Sequence, residues 1–122
     1  MARILVIDDD PDVRGSLSKI LTRAGYEVVV AADGAAGIEL QHKEPADVII
    51  TDIFMPGVDG LQTIRQLKKE GSGVRIIAVS GGDRTGTVDL KEHARLMGAF
   101  KVLAKPFEMD DVLAAVKEAL GA

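Results

Sequence analysis

Four apolar runs in the sequence end on polar side chains that could do chemistry. Together the endings supply three carboxylates, one hydroxyl and one ammonium, from Asp8, Asp9, Asp52, Ser80 and Lys105. Carboxylates held close together repel one another unless a cation lies between them, and oxygen ligands without cysteine or a nearby histidine suit Mg²⁺. A lysine and a hydroxyl add donors for the oxygens of a phosphoryl group. These residue types therefore predict a magnesium-dependent phosphoryl site.

Asp52 is the central residue of this set. It follows the apolar run at residues 48–50 and Thr51, and a Met-Pro-Gly turn begins at Met55. A run of Val and Ile closed by Pro and Gly is typical of a strand buried on both faces. Ligands and chemistry collect at the carboxyl ends of such strands, so Asp52 is a candidate for the reactive group, although an aspartate after a single strand usually just caps a turn.

The strands and helices that would position these groups alternate along the chain. Apolar runs predict strands at residues 4–7, 27–31, 48–50, 75–79 and 100–103. Helical spacing of apolar residues predicts helices at residues 11–24, 33–42, 61–70, 86–97 and 108–120. Strand followed by helix, five times, favours parallel pairing with helices on both faces of the sheet. The predicted fold is a doubly wound α/β domain whose strand ends meet along one edge.

Composition narrows the classes of function. The 122 residues are 47% hydrophobic and 28% charged, which fits a single domain over residues 1–122. A formal net charge of -4 argues against direct nucleic-acid binding, since phosphate-binding surfaces usually make a domain basic. The absence of cysteine excludes disulfides and thiolate metal sites. No apolar run approaches the roughly 20 residues needed to cross a bilayer, so we expect a cytoplasmic protein without a membrane partner.

Four segments, in this order and at these intervals, resemble the receiver domain of two-component response regulators: ILVIDDDPDVR, DVIITDIFMPGVDG, IIAVSGG and GAFKVLAKPF. The resemblance covers essentially the whole chain and implies a flavodoxin-like (βα)5 fold with strand order 2-1-3-4-5. It also implies a signalling switch that catalyses only its own phosphorylation and dephosphorylation. The phosphoryl donor would be a partner histidine kinase or phosphotransfer protein, and the cofactor would be Mg²⁺, or Mn²⁺ in its place.

The resemblance assigns a metal site to four positions. Asp52 matches the aspartate that accepts the phosphoryl group and also binds the metal. Asp9 matches the direct Mg²⁺ ligand, and Asp8 matches the carboxylate that holds metal-bound water. The main-chain carbonyl of Phe54 would complete the ligands that the protein supplies.

The resemblance also assigns groups that bind the phosphoryl oxygens. Lys105 matches the family's ion pair to these oxygens, and Ser80 matches the hydroxyl that moves to bind one of them. Backbone amides of Phe54 and Gly81 would supply further donors. Phosphoryl transfer needs in-line positioning and charge neutralisation more than covalent help from other side chains, which suits this set.

The switch position departs from the family pattern. The aromatic residue commonly found three positions before the lysine is Val102 here, which has no ring to turn inward behind Ser80. Phe100 shares the face of Val102 in a regular strand and lies on the other face if a bulge intervenes, so its ability to replace the ring is left open. Phosphorylation itself does not depend on this departure.

Two other functions are weighed against the phosphorylated switch. One is a receiver-like interaction module that is never phosphorylated in the cell. The other is a flavodoxin-like cofactor binder or a haloacid-dehalogenase-like phosphatase, but the chain lacks a Ser/Thr-rich phosphate loop and has Asp12 where the phosphatase motif needs a hydroxyl. Acetyl phosphate with Mg²⁺, tested on the wild type and Asp52→Asn, separates the three. The output partner is not identified by the sequence, and a homodimer is left open.

Overall fold

The structure is a computed structural model that describes residues 2–53, 60–70, 73–80, 98–104 and 107–121. The strands are β1 (Arg3–Ile7), β2 (Glu27–Ala31), β3 (Val48–Asp52), β4 (Arg75–Ser80) and β5 (Lys101–Ala104). The helices in the described ranges are α1 (Pro11–Arg23), α2 (Gly34–Lys43), α3 (Gly60–Lys69) and α4 (Met109–Gly121). The helix predicted at residues 86–97 lies outside these ranges.

The five strands form one parallel sheet in the order β2-β1-β3-β4-β5. This is the predicted flavodoxin-like, doubly wound architecture, and it is confirmed. The central strand β3 is buried along its whole length, as its run of Val and Ile predicts for a strand covered on both faces. All carboxyl ends of the strands therefore lie along the same edge of the sheet, and those of β1, β3 and β4 are adjacent.

Helices cover both faces of the sheet. Alternate strand residues such as Leu5 and Ile49 pack with α2 and α3 on one face. Their neighbours in sequence, such as Ile4 and Ile50, pack with α1 and α4 on the other face. Because side chains in a strand point alternately to the two faces, one apolar run supplies both cores.

The first two helices begin at aspartate caps. Asp10 accepts a hydrogen bond from the backbone N–H of Asp12 at 2.9 Å, and Pro11 occupies the first helical position of α1. Asp33 accepts from the backbone N–H of Ala36 at 2.8 Å at the start of α2. Such caps satisfy backbone donors that have no partner inside the helix. The cap at Asp10 sets where α1 starts, immediately after the acidic end of β1.

Gly37 is required where α2 packs on β1. A Cβ at this position would overlap the Cδ1 of Ile7 and lie 2.7 Å from its Cγ1, and Ile7 is fully buried. We expect Gly37→Ala to lower the free energy of unfolding by about 1–2 kcal/mol, because overpacking a filled core outweighs the gain in helix propensity. Urea unfolding measures this value.

Gly15 provides the matched control for this substitution. It also lies inside a helix, but nothing is within 4 Å of the position that its Cβ would take. We therefore expect Gly15→Ala to raise the free energy of unfolding by about 0.5–1 kcal/mol. Equal stabilisation by both substitutions would contradict close packing of α2 against β1.

Candidate functional site

Three carboxylates from two neighbouring strands converge at the carboxyl edge of the sheet. Asp8, Asp9 and Asp52 each place a carboxylate oxygen within 4.8 Å of the others. The cause is the parallel register of β1 and β3, in which Ile7 is paired with Thr51, so that the residues following this pair lie side by side. Asp8 and Asp52 are 3% and 6% exposed, whereas Asp9 is open to solvent. The sequence prediction that these acids meet is correct.

Asp8 is held by hydrogen bonds to both its backbone and its side chain. Its backbone N–H donates to the carbonyl of Ala31 at 3.1 Å, which extends the pairing of β1 with β2 by one residue. Its Oδ1 accepts from the backbone N–H of Asp10 at 2.9 Å. Its carbonyl oxygen accepts from Nη1 of Arg14 at 2.7 Å. The first acidic residue of the site therefore has a fixed backbone and a fixed side chain.

Ser80 ends the strand next to Asp52. Asp52 is paired with Val79 in the β3–β4 register, so Ser80 is one residue further toward the same edge of the sheet. Its side chain is buried, with 4% exposure. The backbone N–H of Ile53 donates to the carbonyl of Val79 at 3.0 Å, which keeps the two strand ends together beyond Asp52. Ser80, which carries the hydroxyl predicted for the site, thus lies at the same edge of the sheet as Asp52.

Three predicted site residues lie outside the described ranges. They are Phe54, Gly81 and Lys105. Their predicted roles, as a metal-binding carbonyl, phosphate-binding amides and the phosphate-binding ammonium, stay predictions.

Val102 and Phe100 lie on opposite faces of the sheet. Val102 packs with the core beneath α2 and α3, whereas Phe100 packs with the core beneath α1 and α4. Strict alternation would place both on one face, but β5 begins only at Lys101, so Phe100 precedes the regular strand. Its ring centre lies 5.4 Å from the guanidinium of Arg75, at the end of β4 farthest from Ser80. Phe100 is therefore not placed to supply the missing ring.

The acidic cluster fits a hard divalent cation. Magnesium binds oxygen at about 2.0–2.1 Å in an octahedron and keeps several of its waters. Oxygens within 4.8 Å of one another can meet such an ion directly or through those waters after small side-chain rotations. The cluster offers carboxylates without cysteine or histidine. This set of ligands suits Mg²⁺ better than zinc or copper, which are usually bound through sulfur or imidazole nitrogen. Asp8, Asp9 and Asp52 are the residues that would hold it.

Repulsion within the cluster has a measurable consequence. Without a cation, the three carboxylates have oxygens within 4.8 Å of one another, and their negative charges repel. We expect Asp9→Asn to raise the free energy of unfolding of the metal-free protein by about 1 kcal/mol, because a solvent-exposed charge at this distance is only partly screened. Thermal or urea unfolding in EDTA measures the change. A loss of stability in EDTA would contradict the repulsion.

Among the described residues, Arg14 contacts the site and was not predicted from the sequence. Its guanidinium is half-buried and turns back from α1 to the end of β1. The sequence did not indicate this contact, because an arginine in a helix rich in polar residues is usually exposed to solvent. The available signal is its spacing, because side chains in a helix tilt toward the N-terminus and a residue four positions after the cap Asp10 can reach the preceding loop.

No helix in the described part of the chain is long and apolar enough to span a bilayer.

The sheet is parallel, has the order 2-1-3-4-5 and is covered by helices on both faces, and an acidic cluster lies where β1 and β3 end. These features define a doubly wound α/β domain with carboxylates at the carboxyl edge of its sheet. Within this class, residues 4–117 match the family described as "Response regulator receiver domain". The chain belongs to this family. The resemblance noted in the sequence is thereby confirmed.

Curated relatives agree with the family. The chain is 30% identical to Sporulation initiation phosphotransferase F of Bacillus subtilis over 97% of this chain and 93% of that protein. It is 35% identical to Response regulator MprA of Mycobacterium leprae, and 36% identical to the C4-dicarboxylate transport transcriptional regulatory protein DctD of Pseudomonas aeruginosa. These alignments cover 97% of this chain but only 50% and 25% of the two regulators. The chain thus spans nearly all of one relative and a part of the others.

Solved structures share the fold over almost the whole chain. A response regulator receiver domain protein from Clostridium thermocellum has a TM-score of 0.90 at 31% identity, covering 99% of this chain and 95% of that one. The chemotaxis protein CheY4 of Vibrio cholerae has a TM-score of 0.88 at 30% identity, covering 98% of this chain and 99% of that one. Each comparison covers at least 95% of both chains, so the likeness extends over whole domains.

Proposed function

We propose that this protein is a phosphoacceptor switch in which Asp52 takes a phosphoryl group in a Mg²⁺-dependent reaction. The observation that carries the proposal is the convergence of Asp8, Asp9 and Asp52 within 4.8 Å at the carboxyl edge of the sheet. A buried carboxylate beside two further acids is a poor arrangement for stability alone, because the like charges repel. It is a good arrangement for a nucleophile that reacts next to a cation.

The reaction is a transfer of a phosphoryl group between two nucleophiles. A carboxylate oxygen of Asp52 attacks the phosphorus of a phosphohistidine on the donor, the P–N bond breaks, and the imidazole leaves with the bonding electron pair. The product is an acyl phosphate on Asp52. When bound, Mg²⁺ supplies positive charge against the phosphoryl oxygens, which is the main requirement of such a transfer. Asp9 would hold the cation directly, Asp8 would hold it through water, and the carbonyl of Phe54 would complete the set.

The remaining predicted residues belong to the same proposal. Lys105 pairs with the phosphoryl oxygens, and the backbone amides of Phe54 and Gly81 donate to them. The added group brings about one or more negative charges and strong acceptors, which attract the hydroxyl of Ser80 and the loop behind it. In the family, an aromatic residue at the position of Val102 would follow this movement. Here the output of the switch depends instead on the packing of an aliphatic side chain.

The proposed donor is a histidine kinase or a phosphotransfer protein. The family is one of signalling switches, and a relative that the chain matches nearly end to end is named a phosphotransferase. We propose that residues 1–122 act as a single receiver domain in the cytoplasm, and that phosphorylation changes the affinity for an output partner. Binding of nucleic acid would be a property of that partner, since the domain carries a net charge of -4.

Acetyl phosphate tests the proposal without knowledge of the natural donor. The protein is incubated with acetyl phosphate in Mg²⁺ or in EDTA, and its intact mass is measured. We expect the mass of one phosphoryl group to be added in Mg²⁺ only, and to be removed by hydroxylamine, which cleaves acyl phosphates. An unchanged mass in Mg²⁺ would contradict the proposal and favour an interaction module that is not phosphorylated.

A further inference from the structure

Arg14 joins the first turn of α1 to the acidic end of β1. Its backbone N–H donates to the carbonyl of Asp10 at 3.0 Å, as part of the helix. Its Nη1 donates to the carbonyl oxygen of Asp8 at 2.7 Å, a short contact for a nitrogen donor. A hydrogen bond from a charged donor is about twice as strong as a neutral one. The guanidinium therefore restrains the loop between β1 and α1.

The restrained atom belongs to the peptide unit that leads into Asp9. A peptide bond is planar, so the carbonyl oxygen of Asp8, the N–H of Asp9 and the Cα of Asp9 lie in one plane. The backbone N–H of Asp8 is already fixed by Ala31 at 3.1 Å. The hydrogen bond from Arg14 fixes the other side of the residue, and with it the direction in which Asp9 leaves the strand.

Asp9 depends on its backbone for its position. Its carboxylate is exposed and has no hydrogen bond or ion pair within the described part of the chain. Asp8, in contrast, is buried and its side chain accepts from the N–H of Asp10. Within the described residues, the contacts that can orient this ligand are therefore those to the peptide that carries it.

We propose that Arg14 is a positioning residue for the metal ligands, acting through the Asp8–Asp9 peptide. The inference rests on the proposed function, since it concerns the same Mg²⁺ site. Two effects of the guanidinium oppose each other. Its positive charge repels Mg²⁺, so removing the charge alone would tighten binding. Its hydrogen bond holds Asp9 in place, so removing the bond weakens binding, and this effect dominates.

The test is Mg²⁺ affinity, measured by calorimetry and by titration of the backbone amides of residues 9 and 10 in nitrogen-15 NMR spectra. We expect Arg14→Met and Arg14→Gln to weaken Mg²⁺ binding by about 10-fold, the scale on which groups that support a metal ligand act. Arg14→Lys keeps one donor and the charge, and its affinity should lie between these variants and the wild type.

Arg23→Met is the matched control. It removes the same charge from the last turn of the same helix, about 14 Å further along the axis. We expect its Mg²⁺ affinity to stay within about twofold of the wild type, because a surface charge beyond the screening length has little effect. Unfolding in EDTA is measured for all variants, and if Arg14→Met does not fold, Arg14→Gln carries the comparison.

The outcomes separate this inference from the function on which it rests. If Arg14→Met and Arg14→Gln bind Mg²⁺ as tightly as the wild type, or more tightly, the positioning role is overturned. The proposed phosphoacceptor function is not affected by that result. Equal weakening in Arg23→Met also overturns it, because an effect that does not involve the hydrogen bond to Asp8 would then be responsible. A wild type that does not bind Mg²⁺ overturns both proposals.

Discussion

Asp52→Asn should abolish phosphoryl uptake from acetyl phosphate in Mg²⁺, with a loss of at least about 100-fold in phosphoprotein formed. The amide is nearly the same size as the carboxylate, but its oxygen is neutral and a far weaker nucleophile. The side chain is 6% exposed and lies where β3 ends, so the substitution changes chemistry without opening a cavity. Intact mass after incubation with acetyl phosphate measures the result.

Asp12→Asn is the control for this substitution. Asp12 is exposed in the first turn of α1 and does not belong to the cluster of three carboxylates. We expect it to gain one phosphoryl group as the wild type does. If Asp52→Asn were phosphorylated to the same extent as Asp12→Asn, the acceptor would be another residue.

Asp9→Asn should weaken Mg²⁺ binding by at least about 10-fold, because Mg²⁺ depends on charged oxygen ligands and the site has few of them. The same variant is expected to be more stable than the wild type in EDTA, since one of three repelling charges is gone. A loss of Mg²⁺ affinity together with a gain of stability in EDTA distinguishes a metal ligand from a structural residue. Calorimetry with Mg²⁺ and urea unfolding in EDTA give the two values.

Asp10→Asn is the matched control for the loss of Asp9. It removes one negative charge from the same loop but keeps the helix cap, since asparagine caps as well as aspartate. Asp10 is not among the clustered carboxylates. We expect its Mg²⁺ affinity to stay within about threefold of the wild type. A loss equal to that of Asp9→Asn would show that net charge in the loop, and not ligation, sets the affinity.

The fold was predictable because its strands are locally distinct. The Val and Ile run that becomes β3 is bounded by Asp and Pro, and an apolar run buried on both faces leaves few alternatives to a parallel sheet. The order of the strands did not follow from these patterns, because any parallel order satisfies them. It came from the resemblance to receiver domains, and the structure confirms it.

The acidic cluster was predictable for the same reason. The hydrogen bond from Arg14 that supports it was not predictable. Asp8 and Asp52 follow apolar runs directly, and parallel register brings such endings together. The bond from Arg14 to the carbonyl of Asp8 involves a backbone atom, which leaves no trace in residue type. The placement of Phe100 was undecided because it depends on the single residue at which β5 begins.

The central claim is that the phosphoryl group is carried by Asp52, and chemical trapping tests it most directly. Borohydride reduces an aspartyl phosphate to homoserine, which peptide mass spectrometry locates in the sequence. After incubation with acetyl phosphate and Mg²⁺, we predict homoserine at position 52 and none at positions 8, 9 or 12. Homoserine at position 8, 9 or 12, or its absence from position 52, would contradict the account.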